Sequence, residues 1–119
     1  MRFALLGSGS RGNATLVEEG NTCLLVDCGF SVREVERRMA RLDCSPQQLS
    51  AILVTHEHQD HLAGVGALAR KYRLPVWLTA GTEAAGKKRL GELPQRCVLN
   101  SHSDFAIDDL KLHPFPVPH

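Results

Sequence analysis

Apolar residues in this chain fall in short runs between polar or glycine-rich breaks, and their period changes from segment to segment. Residues 3–6 read as a strand, followed by a loop rich in Gly and Ser. Residues 14–18 and 22–27 read as two more strands, and the turn-forming pair Gly20-Asn21 between them predicts a β-hairpin. From Ser31 the period becomes helical. Val32, Val35, Met39 and Leu42 share one face, while Arg33, Arg37, Arg38 and Arg41 mostly fall elsewhere. Glu34, three residues after Ser31, completes the pattern of a capping box. Ser45-Pro46-Gln47-Gln48 opens a second, short helical turn with proline at its first position. Ala51-Ile52-Leu53-Val54 reads as a short buried strand. Helices are expected over 64–72 and 82–90, with strands over 76–79, 96–99 and 110–113. This alternation predicts an α/β fold.

Composition narrows the classes. A hydrophobic share of 43% and a charged share of 23% fit a folded domain and not a disordered chain. A net charge of +1 gives no whole-chain field that would draw it to nucleic acid or to a membrane surface. No run approaches the ~20 apolar residues of a membrane span, and the apolar stretch after Met1 is too short for a signal peptide. Cys23, Cys28, Cys44 and Cys97 form no C-x-x-C pair, which argues against a redox or zinc-ribbon role and for reduced thiols in a cytoplasmic protein. Cys28 is the one with a functional alternative, because it adjoins Asp27.

The chemistry concentrates in His56-Glu57-His58-Gln59-Asp60-His61, directly after the 51–54 strand. Neutral imidazole nitrogens and one hard carboxylate oxygen are what a divalent metal centre needs. His56 and His58 are two apart, so on an extended backbone they point the same way and can grip one ion. Asp60 and His61 follow where the chain should turn into a loop or a helix start, and they can reach a second ion. Such a division suits a two-metal hydrolase. H-E-x-x-H fails because Asp60 stands where its second His would be, and the zinc deaminase pattern lacks its P-C-x-x-C. Gly7-x-Gly9-x-x-Gly12 formally matches a dinucleotide fingerprint. The β-branched residues from Ala14 to Val17 and the break at Gly20-Asn21 leave no room for the helix that motif requires. The glycines instead allow a tight turn whose Ser8, Ser10 and Asn13 line one rim of the site.

The run Leu53-Val54-Thr55-His56-Glu57-His58-Gln59-Asp60-His61-Leu62-Ala63-Gly64 resembles the second motif of the metallo-β-lactamase-fold hydrolases. Leu24-Leu25-Val26-Asp27-Cys28-Gly29 is similar to their first motif, and Pro116-Val117-Pro118-His119 to the stretch with their third-motif histidine. The opening Leu5-Leu6-Gly7-Ser8-Gly9-Ser10-Arg11-Gly12-Asn13 resembles the nuclease- and phosphodiesterase-like bacterial branch. The resemblance implies the N-terminal half of an αββα sandwich, with a mixed, mostly antiparallel sheet and flanking helices. It also implies that residues 1–119 are an incomplete domain, ending before the last metal-binding motifs, so that the chain lacks residues needed for full activity. By motif, His56, His58 and His119 would hold a first metal ion, and Asp60 and His61 would contribute to a second. Asp27 would brace the site without touching metal. The two divalent ions are expected to be zinc, with manganese or iron compatible. Metal-bound hydroxide would attack the substrate, and Asp60 would orient it or take its proton.

The expected substrate is a phosphodiester, in nucleic acid or a small nucleotide-like molecule. Hydrolysis of a thioester or lactone on the same fold stays open, as does a non-catalytic fragment that binds metal. His102 lies in a polar loop and His113 on an expected strand. Arg70-Lys71-Tyr72-Arg73 and Lys87-Lys88-Arg89 sit at helix ends, where cations are favourable, and read as solvated faces.

Overall fold

The structure, a computed structural model, describes residues 1–56 and 58–114. Six strands form one sheet in the order β1 (Arg2–Gly7), β2 (Ala14–Glu19), β3 (Thr22–Val26), β4 (Ala51–Leu53), β5 (Pro75–Thr79) and β6 (Gln95–Leu99). The hairpin expected around Gly20-Asn21 joins β2 to β3, with Leu16 opposite Leu25. A strand over Ala14–Glu19 also leaves no helix at the glycine loop, as the sequence required. The sheet is mixed: β1–β2 and β2–β3 are antiparallel, while β3–β4, β4–β5 and β5–β6 are parallel. The antiparallel share is therefore smaller than expected. Each parallel pairing follows from a return of the chain through a helical segment.

Four helices pack on one face: α1 (Val32–Ala40), α2 (Gln59–Leu62), α3 (Val65–Tyr72) and α4 (Ala80–Leu90). Leu25, Ile52, Val76 and Leu78 of the sheet meet Val35, Met39, Leu62, Leu68 and Leu90 in the main core. On the other face lies a separate hairpin of β7 (Phe105–Ile107) and β8 (Leu110–Leu112). Its Ile107 and Leu110 pack on Leu24 and Ala51, and Phe105 stacks on Trp77 with ring centroids 5.2 Å apart. The alternation of Leu24 and Leu25 between the two clusters is the period-two signature of a strand buried on both sides. At the β1 edge the second face is open, and Phe3 and Leu5 are 68% and 64% exposed.

Local capping departs from expectation in one place. The Ser31 side chain accepts from the Glu34 backbone N–H, but Glu34 does not complete a capping box, because its carboxylate is taken by Arg37 at 2.6 Å and Arg38 at 2.8 Å. A reciprocal box forms instead at the 3₁₀ turn Pro46–Gln48, between Ser45 and Gln48. Val35 and Met39 are buried as the helical period required, whereas Leu42 lies past the helix end and is 40% exposed. The cationic clusters have partly structural partners. Arg70 Nη1 donates to the carbonyls of Leu90, the last residue of α4, and of Glu92 just past it, and Lys71 and Tyr72 both bond the Glu36 carboxylate of α1.

Two glycines permit the close approach of segments that carry the conspicuous side chains. A Cβ on Gly64 would sit 1.7 Å from the Phe30 carbonyl oxygen, and one on Gly29 would sit 1.9 Å from that of Asp60. Both neighbours are backbone, which cannot swing aside. Gly64→Ala is therefore expected to cost about 2 kcal/mol or more of unfolding free energy by overpacking, measured by denaturant titration. A change under about 0.5 kcal/mol would show that the segments separate freely.

Candidate metal centre

Because β3 and β4 are parallel neighbours with Val26 beside Leu53, their carboxyl ends deliver Asp27 and the Thr55-His56 segment to the same edge of the sheet. This is where open α/β sheets place their ligand crevices. Asp27 N donates to Leu53 O at 2.7 Å, continuing the pairing one residue past β3. Asp27 then takes a left-handed conformation, φ 63°, which Asp tolerates better than most residues. Its carboxylate meets Thr55, just past the end of the neighbouring β4, and the His61 ring. Cys28 N donates to His61 O, Gly64 N to Cys28 O, Gly29 N to Asn13 O and Asn13 N to Asp60 O, all between 2.7 and 3.0 Å. Three segments that are remote in sequence are thereby laced together through their main chains.

The Asp27 carboxylate is 5% exposed at the residue level and fully engaged. Its Oδ1 accepts from Thr55 N at 2.7 Å, and its Oδ2 accepts from Thr55 Oγ1 at 2.5 Å. Oδ2 also lies 2.7 Å from His61 Nδ1. A carboxylate only accepts, so His61 carries its proton on Nδ1 and its lone pair on Nε2. Thr55 Oγ1 spends its hydrogen on Asp27 and must accept from His56 Nδ1, 2.8 Å away, which leaves the lone pair of His56 on Nε2 as well. One buried acid thus sets the tautomers of two imidazoles.

The structure brings the expected donors together. His56 and His58 rings stack at 5.7 Å with 18° between planes, as the two-residue spacing anticipated, and His56 and His61 rings lie 4.5 Å apart. His58 precedes α2, and Asp60 and His61 lie within it. Asp60 Oδ2 is 3.6 Å from His61 Nε2 and accepts from Asn13 Nδ2 at 2.9 Å. Among the described residues, Asp27, His56 and His61 have ligand-type atoms all within 4.8 Å of one another. Asp27 is the member whose oxygens already have protein donors. His119, expected to complete the first ion's ligands, lies outside the described residues, as does Glu57. His102 is exposed in a turn, and His113 falls just past β8, exposed and bonded to Asp104. Sequence reasoning gave Thr55 no role; a lone hydroxyl residue becomes significant only once β3 and β4 are known to be parallel neighbours.

Cys28 does not join this group of donors. It is 0% exposed, its thiol donates to Phe30 O, and burial pushes it up to about 12, so it stays a neutral thiol. The donors that remain, imidazoles and a carboxylate without thiolate, suit zinc and other divalent ions of the first transition row.

The sequence pattern of the metallo-β-lactamase superfamily matches residues 7–117, and the chain belongs to that superfamily. It is 35% identical over 122 residues to the exodeoxyribonuclease WalJ of Streptococcus pneumoniae serotype 2, covering 99% of this chain and 45% of that protein. It is 36% identical over 121 residues to the exodeoxyribonuclease YycJ of Bacillus anthracis, covering 100% of this chain and 46% of the relative. A ribonuclease Z of Mycobacterium sp. (strain KMS) is 38% identical over 98 residues, with 76% of this chain and 32% of that one covered. The chain spans about half the length of the two exodeoxyribonucleases. Among solved structures, the Rm3 metallo-β-lactamase superposes with a TM-score of 0.74 at 17% identity, over 92% of this chain and 46% of its own. The FEZ-1 enzyme of Legionella gormanii does so with a TM-score of 0.72 at 13% identity, over 87% of this chain and 45% of its own. These two likenesses establish the fold: a mixed sheet flanked by helices that covers about half of each neighbour.

Two outcomes follow from this geometry. Asp27→Ala removes the acceptor of Thr55 N, Thr55 Oγ1 and His61 Nδ1, and is expected to cost about 3 kcal/mol in denaturant unfolding of the metal-free protein. A loss under about 0.5 kcal/mol would show that these bonds contribute nothing. At pH 8, the half-exposed Cys44 and Cys97 should react readily with an aromatic disulfide reagent. Cys23 and Cys28, raised by burial to about 11 and about 12, should react only after denaturant is added. Four fast thiols would contradict the burial.

Proposed function

We propose that this chain carries metal-binding residues of a metal-dependent hydrolase that cleaves phosphodiesters in nucleic acid. The observation that carries this reading is the convergence of His56, His58, Asp60 and His61 just after β4, with Asp27 turned in from the end of the parallel neighbour β3 to orient His56 and His61. The substrate class rests on the relatives, which are named as exodeoxyribonucleases and a ribonuclease Z. In this assignment His56 and His58 hold one ion, with His119 as the expected third ligand, and Asp60 and His61 hold another. Zinc matches the donors best. A divalent ion bound here supplies a Lewis acid and lowers the pKa of a water it binds.

The chain's own residues do the positioning. Asp27 works as a brace and not as a ligand, since both its oxygens accept protein hydrogens. It holds His61 directly and His56 through Thr55, so that each presents Nε2. Asp60, half-exposed and fixed by Asn13, is placed to orient the attacking water or take its proton. We read the domain as the N-terminal half of an αββα sandwich. Four free cysteines, two of them buried, suit a reducing cytoplasm. Among the described residues, no helix is long and apolar enough to cross a membrane.

Fold alone does not select the bond that is cleaved. The test is to incubate the intact protein with DNA, a small synthetic phosphodiester and a thioester, with zinc or manganese present. Cleavage of the phosphodiesters alone is expected, and a chelator should abolish it. Thioester cleavage without phosphodiester cleavage would overturn the substrate assignment. His58→Ala should reduce hydrolysis below about 1% of wild type with an unchanged circular-dichroism spectrum, and unchanged turnover would refute the role given to His58.

A further inference from the structure

The glycine loop after β1 is tied to the candidate centre by one side chain. Asn13 Oδ1 accepts from Gly9 N at 3.2 Å, while its Nδ2 donates to Gly9 O at 2.9 Å, closing an amide-to-amide ring that holds the loop's shape. The same Nδ2 donates to Asp60 Oδ2 at 2.9 Å and lies 3.3 Å from Asp60 O. The main chain adds two more ties, from Asn13 N to Asp60 O at 2.7 Å and from Gly29 N to Asn13 O at 3.0 Å. Asn13 and Asp60 are 47 residues apart in sequence, so this contact exists only because the fold brings the glycine loop and α2 together.

The atom that Asn13 grips is informative. Asp60 Oδ2 is the oxygen that faces His61 Nε2, at 3.6 Å, across the gap where those two residues would share an ion. His61 is fixed from behind by Asp27, whereas Asp60 has Asn13 in the equivalent place. A short carboxylate on a one-turn helix, half-exposed, has several rotamers open to it unless something holds it. An amide N–H aimed at one oxygen selects a single rotamer and does not neutralise the charge an ion needs.

We propose that Asn13 is a positioning residue that presets the Asp60 carboxylate and thereby sets the affinity of the ion Asp60 holds. The inference rests on the reading of Asp60 as a metal ligand. Losses of about 10- to 100-fold in metal affinity are usual when the group that orients a ligand is removed. The selective effect here should be of that size. Because Asn13 also shapes its own loop, the metal titration must separate orientation of Asp60 from general loosening.

The metal-free intact protein would be titrated with cobalt(II), followed by visible absorption and by native mass spectrometry. The binding step that belongs to Asp60 is the one removed by Asp60→Ala. Asn13→Ala should weaken that same step at least about 10-fold and leave any other step within about 3-fold of wild type. The double variant Asn13→Ala/Asp60→Ala should bind no more weakly than Asp60→Ala alone, because the two residues act on one ion. Asn13→Asp keeps an acceptor for Gly9 N and removes the donor to Asp60, so it should show the same selective loss even if the alanine variant fails to fold. Equal weakening of every step, additive losses in the double variant, or unchanged or tighter binding in Asn13→Asp would overturn the proposal. If Asp60→Ala removes no step, the ligand reading of Asp60 falls, and this inference with it. If Asp60→Ala removes a step that the Asn13 variants leave intact, only the positioning role falls.

Discussion

The buried carboxylate of Asp27 is the interaction on which the candidate centre depends. Placing a negative charge at 5% exposure is unfavourable unless its oxygens are satisfied. Here the satisfying groups are the Thr55 backbone and hydroxyl and the His61 ring, so the cost of burial and the order of the centre are the same set of bonds. The left-handed turn at Asp27 is what folds the side chain back toward the neighbouring strand end. The parallel pairing of β3 and β4 is what puts Thr55 there to meet it. The imidazoles are oriented in turn, because an acceptor on one ring nitrogen fixes which nitrogen presents the lone pair.

This dependence explains how the layers serve the centre. The helices on one face and the β7–β8 hairpin on the other bury the middle strands from both sides. Their carboxyl ends are left as a firm rim. The main-chain bonds among Asn13, the 27–29 turn and the 60–64 segment sit on that rim. Gly29 and Gly64 keep these segments close enough to bond, since any side chain there would meet a carbonyl oxygen. The carboxylates and imidazoles are thus carried by loop residues and by the one-turn helix α2, tied to one another through their main chains.

Much of this was legible in the sequence where the signal was local. Alternating and helical periods located the six sheet strands and the main helices to within a residue or two, and the His-Asp cluster pointed by its spacing to the candidate centre. What escaped depended on contacts between distant segments. The strand Phe105–Ile107 is too short to show a period, and it is defined by Trp77 and its partner Leu110–Leu112. The capping box at Ser31 failed because two arginines on the same helix outcompete the backbone for Glu34. Thr55 is an ordinary polar residue until a pairing across 28 positions gives it a partner, and Asn13, which the glycine-loop reading set on the rim, shows its hold on Asp60 only through a contact across 47 positions. The sheet's larger share of parallel pairs follows from the chain's route between strands, which no single segment records.

The switch of the sheet from antiparallel to parallel at β3 has a consequence for how such a scaffold changes over generations. Residues that hold the layers together lie in the strand middles and helix faces, and the candidate metal-binding residues lie beyond the strand ends. Apart from the rim residues that also tie segments together, such as Asp27, Gly29 and Gly64, the two sets are separate, so replacements elsewhere on the rim alter reactivity while the interior absorbs little of the disturbance. A lineage built on this plan can diversify what it acts on without having to rediscover how to fold.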